Sequence, residues 1–240
     1  MSDLCRIAIV AALEREVRPL VKNWRVVERE HLGRRFRFFE NGSTVVVCGG
    51  IGPEAARRAT EAVIALYQPE EVLSVGFAGA LDAYLKVGDI FAPSRIVDAK
   101  DGSRVETGIG RGVLLSLASV ASVEQKARLA EAYGAQAVDM EAAAVARGAQ
   151  AHGVRFSALK AISDESSFTM PPVERFIGSE GQFRAAAFFA FIALRPWLWL
   201  SVFQLARNSA KASAALCREL EQYGHQTKLR DSEPELHPIT

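Results

Sequence analysis

The chain has 240 residues, of which 49% are hydrophobic and 24% charged, and its formal net charge is +1. This composition is typical of a soluble globular domain, and it excludes an electrostatic nucleic-acid binder because no face or tail concentrates Lys and Arg without acids beside them. The cysteines Cys5, Cys48 and Cys217 are too few and too scattered for a disulfide framework or a zinc site. Since the N-terminal segment also lacks a signal-peptide pattern, we expect a cytoplasmic protein.

The N-terminal half alternates between strand and helix patterns. Residues 6–12 form an apolar run of strand length, and residues 13–24 follow with the apolar spacing of a helix. Further strands are predicted at 25–30, 35–40 and 43–48, and a helix at 54–67. A glycine-rich loop at 49–53 precedes that helix, but without a GKS or GKT ending it is not a P-loop.

The second half continues this alternation. A buried strand at 71–75 runs into the small residues of 76–80, which permit close backbone approach. Strands are predicted at 90–98, 113–120 and 156–163, a surface loop or hairpin at 99–112, and a helix at 122–133. Strands that alternate with helices predict an α/β fold with a covered, mostly parallel sheet, and the hairpins make it a mixed one.

A strand passes into a helix within residues 134–153, at the sequence Asp139-Met140-Glu141. Ligands of open α/β sheets bind beyond the carboxyl ends of strands, so a carboxylate at this junction is placed to meet a small molecule. The plainer interpretation is that both acids sit at a helix N-terminus, where negative charge is favoured. The junction alone leaves both interpretations open.

Three acids follow predicted strands: Glu16, Glu141 and Asp164. Carboxylates gathered in one pocket separate each other's pKa values, so that one holds a proton while another accepts one. Each acid alone is explained by capping or solvation, but the three together favour an enzyme. The four histidines show no metal-ligand spacing, and the serines lack a GxSxG elbow, so neither a metal site nor a serine hydrolase is predicted.

A strongly apolar region extends from residue 183 to residue 203. Arg184 and Arg195 bracket only ten uncharged residues, and Pro196 breaks any continuous helix, so a membrane span is not predicted. A buried helix pair within 183–224 is the main prediction. A face that contacts a membrane surface or a lipid is the alternative.

Several motifs resemble the nucleoside phosphorylase superfamily, and most closely its branch of methylthioadenosine/S-adenosylhomocysteine nucleosidases. They are AIVAALEREV, GGIGPEAA, SVGFAGAL followed by LKVGDIF, AVDMEAAAVA and AISDESS, and they cover residues 6–166. The resemblance implies a single three-layer α/β/α domain, assigned here to residues 1–224. The polar composition of residues 225–240, with two prolines, predicts a disordered tail. It also implies a homodimer that cleaves the bond between a purine and ribose, with no cofactor and with phosphate as an optional co-substrate.

The resemblance assigns roles to individual residues. Glu16 matches the acid that activates the nucleophilic water, and Asp164 matches the acid that serves N7 of the purine. Met140 and Glu141 match residues that contact the sugar. The remaining residues assigned to substrate binding are Ser163, Phe77, Ala78, Gly79 and Val120, and the region of Ser119 and Val120 is expected to line the base.

One departure from the superfamily concerns phosphate. Where its phosphorylases carry an arginine and a serine, this chain has Ser74 and Phe77. The loss of a guanidinium removes a bidentate anion clamp, which weakens phosphorolysis unless Arg15 or Arg18 replaces it. Water and phosphate both remain open as the nucleophile.

The second departure is the apolar ending, which resembles that of hopanoid-associated phosphorylases. This resemblance implies adenosylhopane as the substrate, with an apolar channel supplied by Phe168, Met170, Phe176 and the aromatic tail. Two alternatives stay open: a methylthioadenosine/S-adenosylhomocysteine nucleosidase whose tail packs the core or a dimer, and a nucleoside-binding protein without activity. Trp197 and Trp199 are candidates for peripheral membrane contact.

Overall fold

The computed structural model of the chain describes residues 5–108 and 110–232, with the backbone alone beyond Tyr223. Its strands are β1 (Ile7–Ala11), β2 (Arg25–His31), β3 (Arg34–Asn41), β4 (Thr44–Cys48), β5 (Glu71–Ala80), β6 (Ile90–Phe91), β7 (Arg95–Asp98), β8 (Arg104–Glu106), β9 (Val113–Ser116), β10 (Ala137–Asp139) and β11 (Arg155–Asp164). Its α-helices are α1 (Glu14–Val21), α2 (Pro53–Tyr67), α3 (Val123–Tyr133), α4 (Ala142–Ala151), α5 (Ala185–Ala193) and α6 (Trp199–Ser232).

The strands form one mixed sheet, as the sequence predicts. The order along the sheet is β2-β3-β4-β1-β5-β10-β9-β7-β8, and β11 pairs with both β5 and β6. Parallel pairings join β1 to β4 and β5, β5 to β11, and β9 to β7 and β10. Antiparallel hairpins at both edges, β2-β3-β4 and β7-β8, make the sheet mixed.

Helices cover both faces of the sheet. Side chains alternate along each strand, so one strand contributes residues to the core on either face. On β1, Ala8 and Val10 face a core that α2 and α4 complete. The alternate positions, Ile7 and Ile9, face a second core built with α1 and with Leu216 of α6. The fold therefore has three layers, α/β/α.

Two predicted strands are corrected by the structure. The run 90–98 is divided into β6 and β7, which pair with β11 and with β8 and β9 respectively. Pro93 lies in the gap, where a residue without an N–H loses no ladder hydrogen bond. The strand predicted at 113–120 ends at Ser116, and the chain then turns toward the Ser122 cap of α3.

The apolar ending does not form the buried helix pair that the sequence predicts. Helices α5 and α6 are bent by 115° at the break before Pro196, and in α5 only Phe188 and Ile192 are buried. The second half of α6 packs against α1 and β11, with Leu216 in the core, but its first turns leave apolar side chains in solvent. No described helix alone has the length and composition of a membrane span, although α5 and residues 196–223 meet that test as a bent pair.

The backbone of α6 continues to Ser232, so residues 225–232 are helical where the sequence predicts a disordered tail. Residues 233–240 lie outside the described residues, and the prediction for them stays a prediction.

Candidate active site

One cavity brings the three predicted acids together. Glu16, Glu141 and Asp164 all line it, although they come from α1, the start of α4 and the end of β11. The cavity also holds every other residue that the sequence analysis assigns to substrate binding: Met140, Ser163, Phe77, Ala78, Gly79 and Val120. Met140 and Glu141 directly follow β10, which runs antiparallel to β5.

A β-bulge near the end of β11 directs two polar residues into the cavity. Ile162 pairs with Ala78 and Asp164 pairs with Gly79, so Ser163 is the extra residue. A bulge re-aims side chains that would otherwise alternate between the faces of a sheet. Ser163 and Asp164 are both buried, and the Ser163 hydroxyl donates to Asp164 Oδ1 at 2.7 Å.

Lys126 is a partner of Asp164 that the sequence analysis missed. Its ammonium donates to Asp164 Oδ2 in a buried ion pair and to the Glu165 carbonyl oxygen at 3.1 Å. Gly79 leaves room for this pair, since a Cβ there would lie 2.8 Å from Asp164 Oδ2 and 3.2 Å from Lys126 Nζ. Lys126 falls three residues after Val123 on the apolar face of the predicted helix, so its burial, although not its partner, could have been predicted from the spacing.

Glu16 is a buried acid whose carboxylate accepts a hydrogen bond from the backbone N–H of Leu13 at 3.3 Å. Burial raises the pKa of Glu16 to about 7, and the attraction of Lys160 and Arg15 offsets only part of that rise. The carboxylate faces Gly76, where a Cβ would lie 3.0 Å from Glu16 Oε2. A group with a pKa near neutrality is suited to accept a proton.

Glu141 is held by the glycine-rich loop. The backbone N–H of Gly52 donates to Glu141 Oε1 at 2.8 Å, so the loop positions this carboxylate. Burial, followed by the negative charge of Asp139, raises the pKa of Glu141 to about 7. Of the two acids at the strand-to-helix junction, it is Asp139 that follows the plainer interpretation, since its Oδ2 accepts from the first-turn N–H of Ala142 at 2.9 Å.

A second buried lysine, Lys160, forms an ion pair with Asp139. Its ammonium lies 2.9 Å from Asp139 Oδ2 and donates to the Ser74 hydroxyl at 3.1 Å. Asp139 also accepts from Ser116 at 2.6 Å. Lys160 lies within the mostly apolar β11. Because a buried charge needs a partner, its position in the sequence could have predicted an ion pair.

The residues that could hold phosphate are largely engaged elsewhere. The Ser74 hydroxyl is bound by Lys160, and Phe77 presents an apolar ring to the cavity. Arg15 lines the cavity, with its guanidinium 5.5 Å from the centroid of the Phe183 ring. Arg18 lines only the groove described next.

An apolar groove of about 1110 Å³ opens from the cavity. Its lining includes residues of α1, α5 and the first half of α6, and the two spaces share a boundary at Leu13, Arg15, Phe77, Val173, Phe183, Leu205 and Ser209. Of the channel residues expected from the sequence, Met170 lines the cavity. Phe176 packs instead against Phe188 and Phe191, and Phe168 lies outside both linings among the described residues.

Among the described side chains, those of residues 5–108 and 110–223, no group of three or more His, Cys, Asp or Glu is arranged to hold a metal ion.

Comparisons with known proteins identify the family of the chain. The family model for the phosphorylase superfamily matches residues 6–117 and 109–193. The 5′-methylthioadenosine/S-adenosylhomocysteine nucleosidase of Buchnera aphidicola (Schizaphis graminum) is 30% identical over 93 residues, which are 38% of this chain and 40% of that relative. The alignment thus spans well under half of the relative's length.

Two solved structures from Helicobacter pylori share the fold. Its 5′-methylthioadenosine/S-adenosylhomocysteine nucleosidase in complex with an inhibitor gives a TM-score of 0.69 at 20% identity, covering 93% of this chain and 99% of that one. Its futalosine hydrolase gives a TM-score of 0.64 at 22% identity, covering 91% and 98%.

Proposed function

Since the chain belongs to the phosphorylase superfamily, we propose that it cleaves the N-ribosidic bond of a 5′-substituted adenine nucleoside and releases adenine. The observation that carries this proposal is the meeting of Glu16, Glu141 and Asp164 in one cavity. Cleavage builds positive charge on the sugar and negative charge on the base, so it requires negative groups near ribose and a proton donor near the purine.

Glu16 and Glu141 are assigned to the sugar side. Glu141, fixed by Gly52, accepts hydrogen bonds from the ribose hydroxyls, and Met140 packs on the ring. Glu16, with its pKa near 7, accepts a proton from the attacking water. The water oxygen bonds to C1′ as the bond from C1′ to the base breaks, and the bonding electrons leave with the base.

Asp164 and Lys126 are assigned to the base side. Both oxygens of Asp164 act as hydrogen-bond acceptors, for Ser163 and for Lys126, and Lys126 brings N–H donors to the same part of the cavity. The proton that the departing purine needs at N7 therefore comes from the Lys126 ammonium, with Asp164 orienting that donor. This refines the prediction that Asp164 itself is the acid.

Water is the proposed nucleophile. A phosphate ion in this cavity would meet Glu16, Glu141 and Asp164, while the ammonium of Lys126 is already paired. Arg15 is the remaining cation among the described cavity residues. One guanidinium does not outweigh several buried carboxylates, which repel an anion.

The 5′ substituent is proposed to be a long apolar group, with adenosylhopane as the candidate. The groove of about 1110 Å³ supports this assignment, because it is larger than a methylthio group requires and continues directly from the nucleoside cavity. Phe77 lies at the junction of the two spaces, where it would contact the 5′ side of the sugar.

The experiment compares kcat/KM for adenine release from adenosylhopane and from methylthioadenosine, each with and without phosphate. Ala206 lines only the groove, so Ala206→Trp is expected to raise KM about tenfold or more for the long substrate alone. Ala214→Trp, on the exposed side of the same helix, is the matched control. Release from neither nucleoside by the unmodified protein refutes the proposal.

The methylthioadenosine/S-adenosylhomocysteine nucleosidase alternative predicts faster turnover of the small thio-nucleosides and no effect of Ala206→Trp. A protein that only binds nucleosides would show saturable binding without adenine release. The homodimer implied by the family resemblance stays a prediction, which sedimentation velocity checks.

A further inference from the structure

Apolar side chains are exposed together where α5 turns into α6. We call this surface the aromatic apron: Phe189, Leu194, Trp197, Trp199, Leu200 and Phe203, each more than half exposed. Exposed apolar residues are ordinary when they are scattered, but a contiguous patch marks an interaction surface. We propose that the aromatic apron docks the protein onto an anionic lipid bilayer, with the groove opening toward the membrane. The role of this docking, access for a lipid-linked nucleoside, rests on the proposed function, whereas binding to vesicles is tested independently of it.

The charge around the aromatic apron matches an anionic surface. Residues 181–218 contain five basic residues and no acid. The mouth of the groove carries Arg15, Arg18 and Lys22 from α1, and the nearby Glu14 accepts from Arg37 at 3.1 Å. Basic residues beside a lipid surface each add to binding, and salt screens their contribution.

The shape fits a surface-lying element. Helix α5 has nine residues and is therefore about 14 Å long, roughly half of the 30 Å hydrocarbon core, and the bend of 115° prevents α6 from extending it. Such an element lies in the interface with aromatic side chains inserted. The Trp199 indole nitrogen, which donates to the Ile192 carbonyl oxygen at 3.0 Å, helps to hold the bend.

A bilayer fits this face better than a second copy of the chain. A two-fold interface would place each basic surface against its own symmetry mate, which is unfavourable. It would also cover the groove, because Phe189 belongs both to the aromatic apron and to the groove lining. A bilayer instead gives a lipid-linked nucleoside a direct path into the groove.

The test is flotation of the full chain with vesicles of phosphatidylcholine alone and of phosphatidylcholine with phosphatidylglycerol. Leu200→Glu and Phe203→Glu are the test variants. Leu32→Glu is the control, because Leu32 lies on the β2-β3 hairpin, outside the aromatic apron, and its exposure of 82% matches the 83% of Leu200. We expect binding to the anionic vesicles that weakens at high salt and falls about tenfold or more in each test variant but not in the control.

Failure of the wild type to float, or equal flotation of Leu200→Glu, overturns the proposal. A stable dimer that Leu200→Glu dissociates, without vesicle binding, assigns the aromatic apron to a second copy instead. Turnover of soluble methylthioadenosine is measured in the same variants, and it is expected to be unchanged. Flotation without any adenine release would leave the docking inference standing and refute the proposed function alone.

Discussion

The buried pair of Lys126 and Asp164 makes a quantitative prediction about stability. Their side chains are almost completely buried, so removal of either charge leaves the other without compensation. Breaking such a pair costs about 3–5 kcal/mol. We therefore expect Lys126→Met and Asp164→Asn each to lower the free energy of unfolding by that amount. Asn keeps the shape of Asp, so the loss in Asp164→Asn comes from the uncompensated charge of Lys126 and not from a cavity.

The double variant Lys126→Met/Asp164→Asn isolates the interaction. Because it removes both charges together, we expect it to be less destabilised than the sum of the single variants, with a coupling energy of about 2–3 kcal/mol. The assay is urea unfolding followed by circular dichroism. The control cycle uses Arg95 and Glu106, an exposed cross-strand pair at 2.6 Å, whose coupling is expected to be about 0.2–1 kcal/mol. Equal coupling in the two cycles would refute the reasoning.

Four further predictions concern the cavity and the buried charges next to it. Because Glu16 must be ionised to accept a proton, kcat/KM is expected to rise with pH through about 7, and Glu16→Gln should remove that limb of the profile. The raised pKa values of Glu16 and Glu141 mean that the folded chain binds more protons than the unfolded chain between pH of about 4.5 and 7. The free energy of unfolding should therefore fall as the pH rises through this range, which calorimetry at several pH values would measure. Gly79→Ala should lower kcat about tenfold to a hundredfold, because the new Cβ displaces the Asp164 carboxylate and the Lys126 ammonium, whereas the control Gly178→Ala should leave kcat unchanged. Lys160→Met leaves Asp139 buried without its cation and should cost about 3–5 kcal/mol in urea unfolding, and a loss below about 1 kcal/mol would contradict its structural role.

The architecture was accessible from the sequence because local patterns determine it. Apolar runs of strand length and amphipathic helices alternate along the chain, which restricts the fold to a covered sheet. Two sequence predictions were wrong. The run 90–98 is divided at Pro93, and the apolar ending was predicted to be a buried helix pair although many of its large side chains are exposed. Hydropathy records only that a segment is apolar, not what covers it.

The carboxylates of the site were accessible because each follows a strand, but their partners were not. Nothing local in the sequence shows that Lys126 of α3 reaches Asp164 of β11, a contact 38 residues apart along the chain. The bulge at Ser163 also depends on pairing with β5, which only the folded sheet defines. Lys126 pairs with Asp164 and Lys160 pairs with Asp139, so the proposed proton path runs through Lys126 and not through Asp164 alone.

The most direct test of the central claim is adenine release in phosphate-free buffer, from adenine nucleosides that carry a methylthio group or a long apolar group at the 5′ position. We expect the wild type to release adenine from at least one of them, and Glu16→Gln to be slower by about 10²–10⁴-fold. No release by the wild type without phosphate, or an unchanged rate in Glu16→Gln, would contradict water activation by this carboxylate.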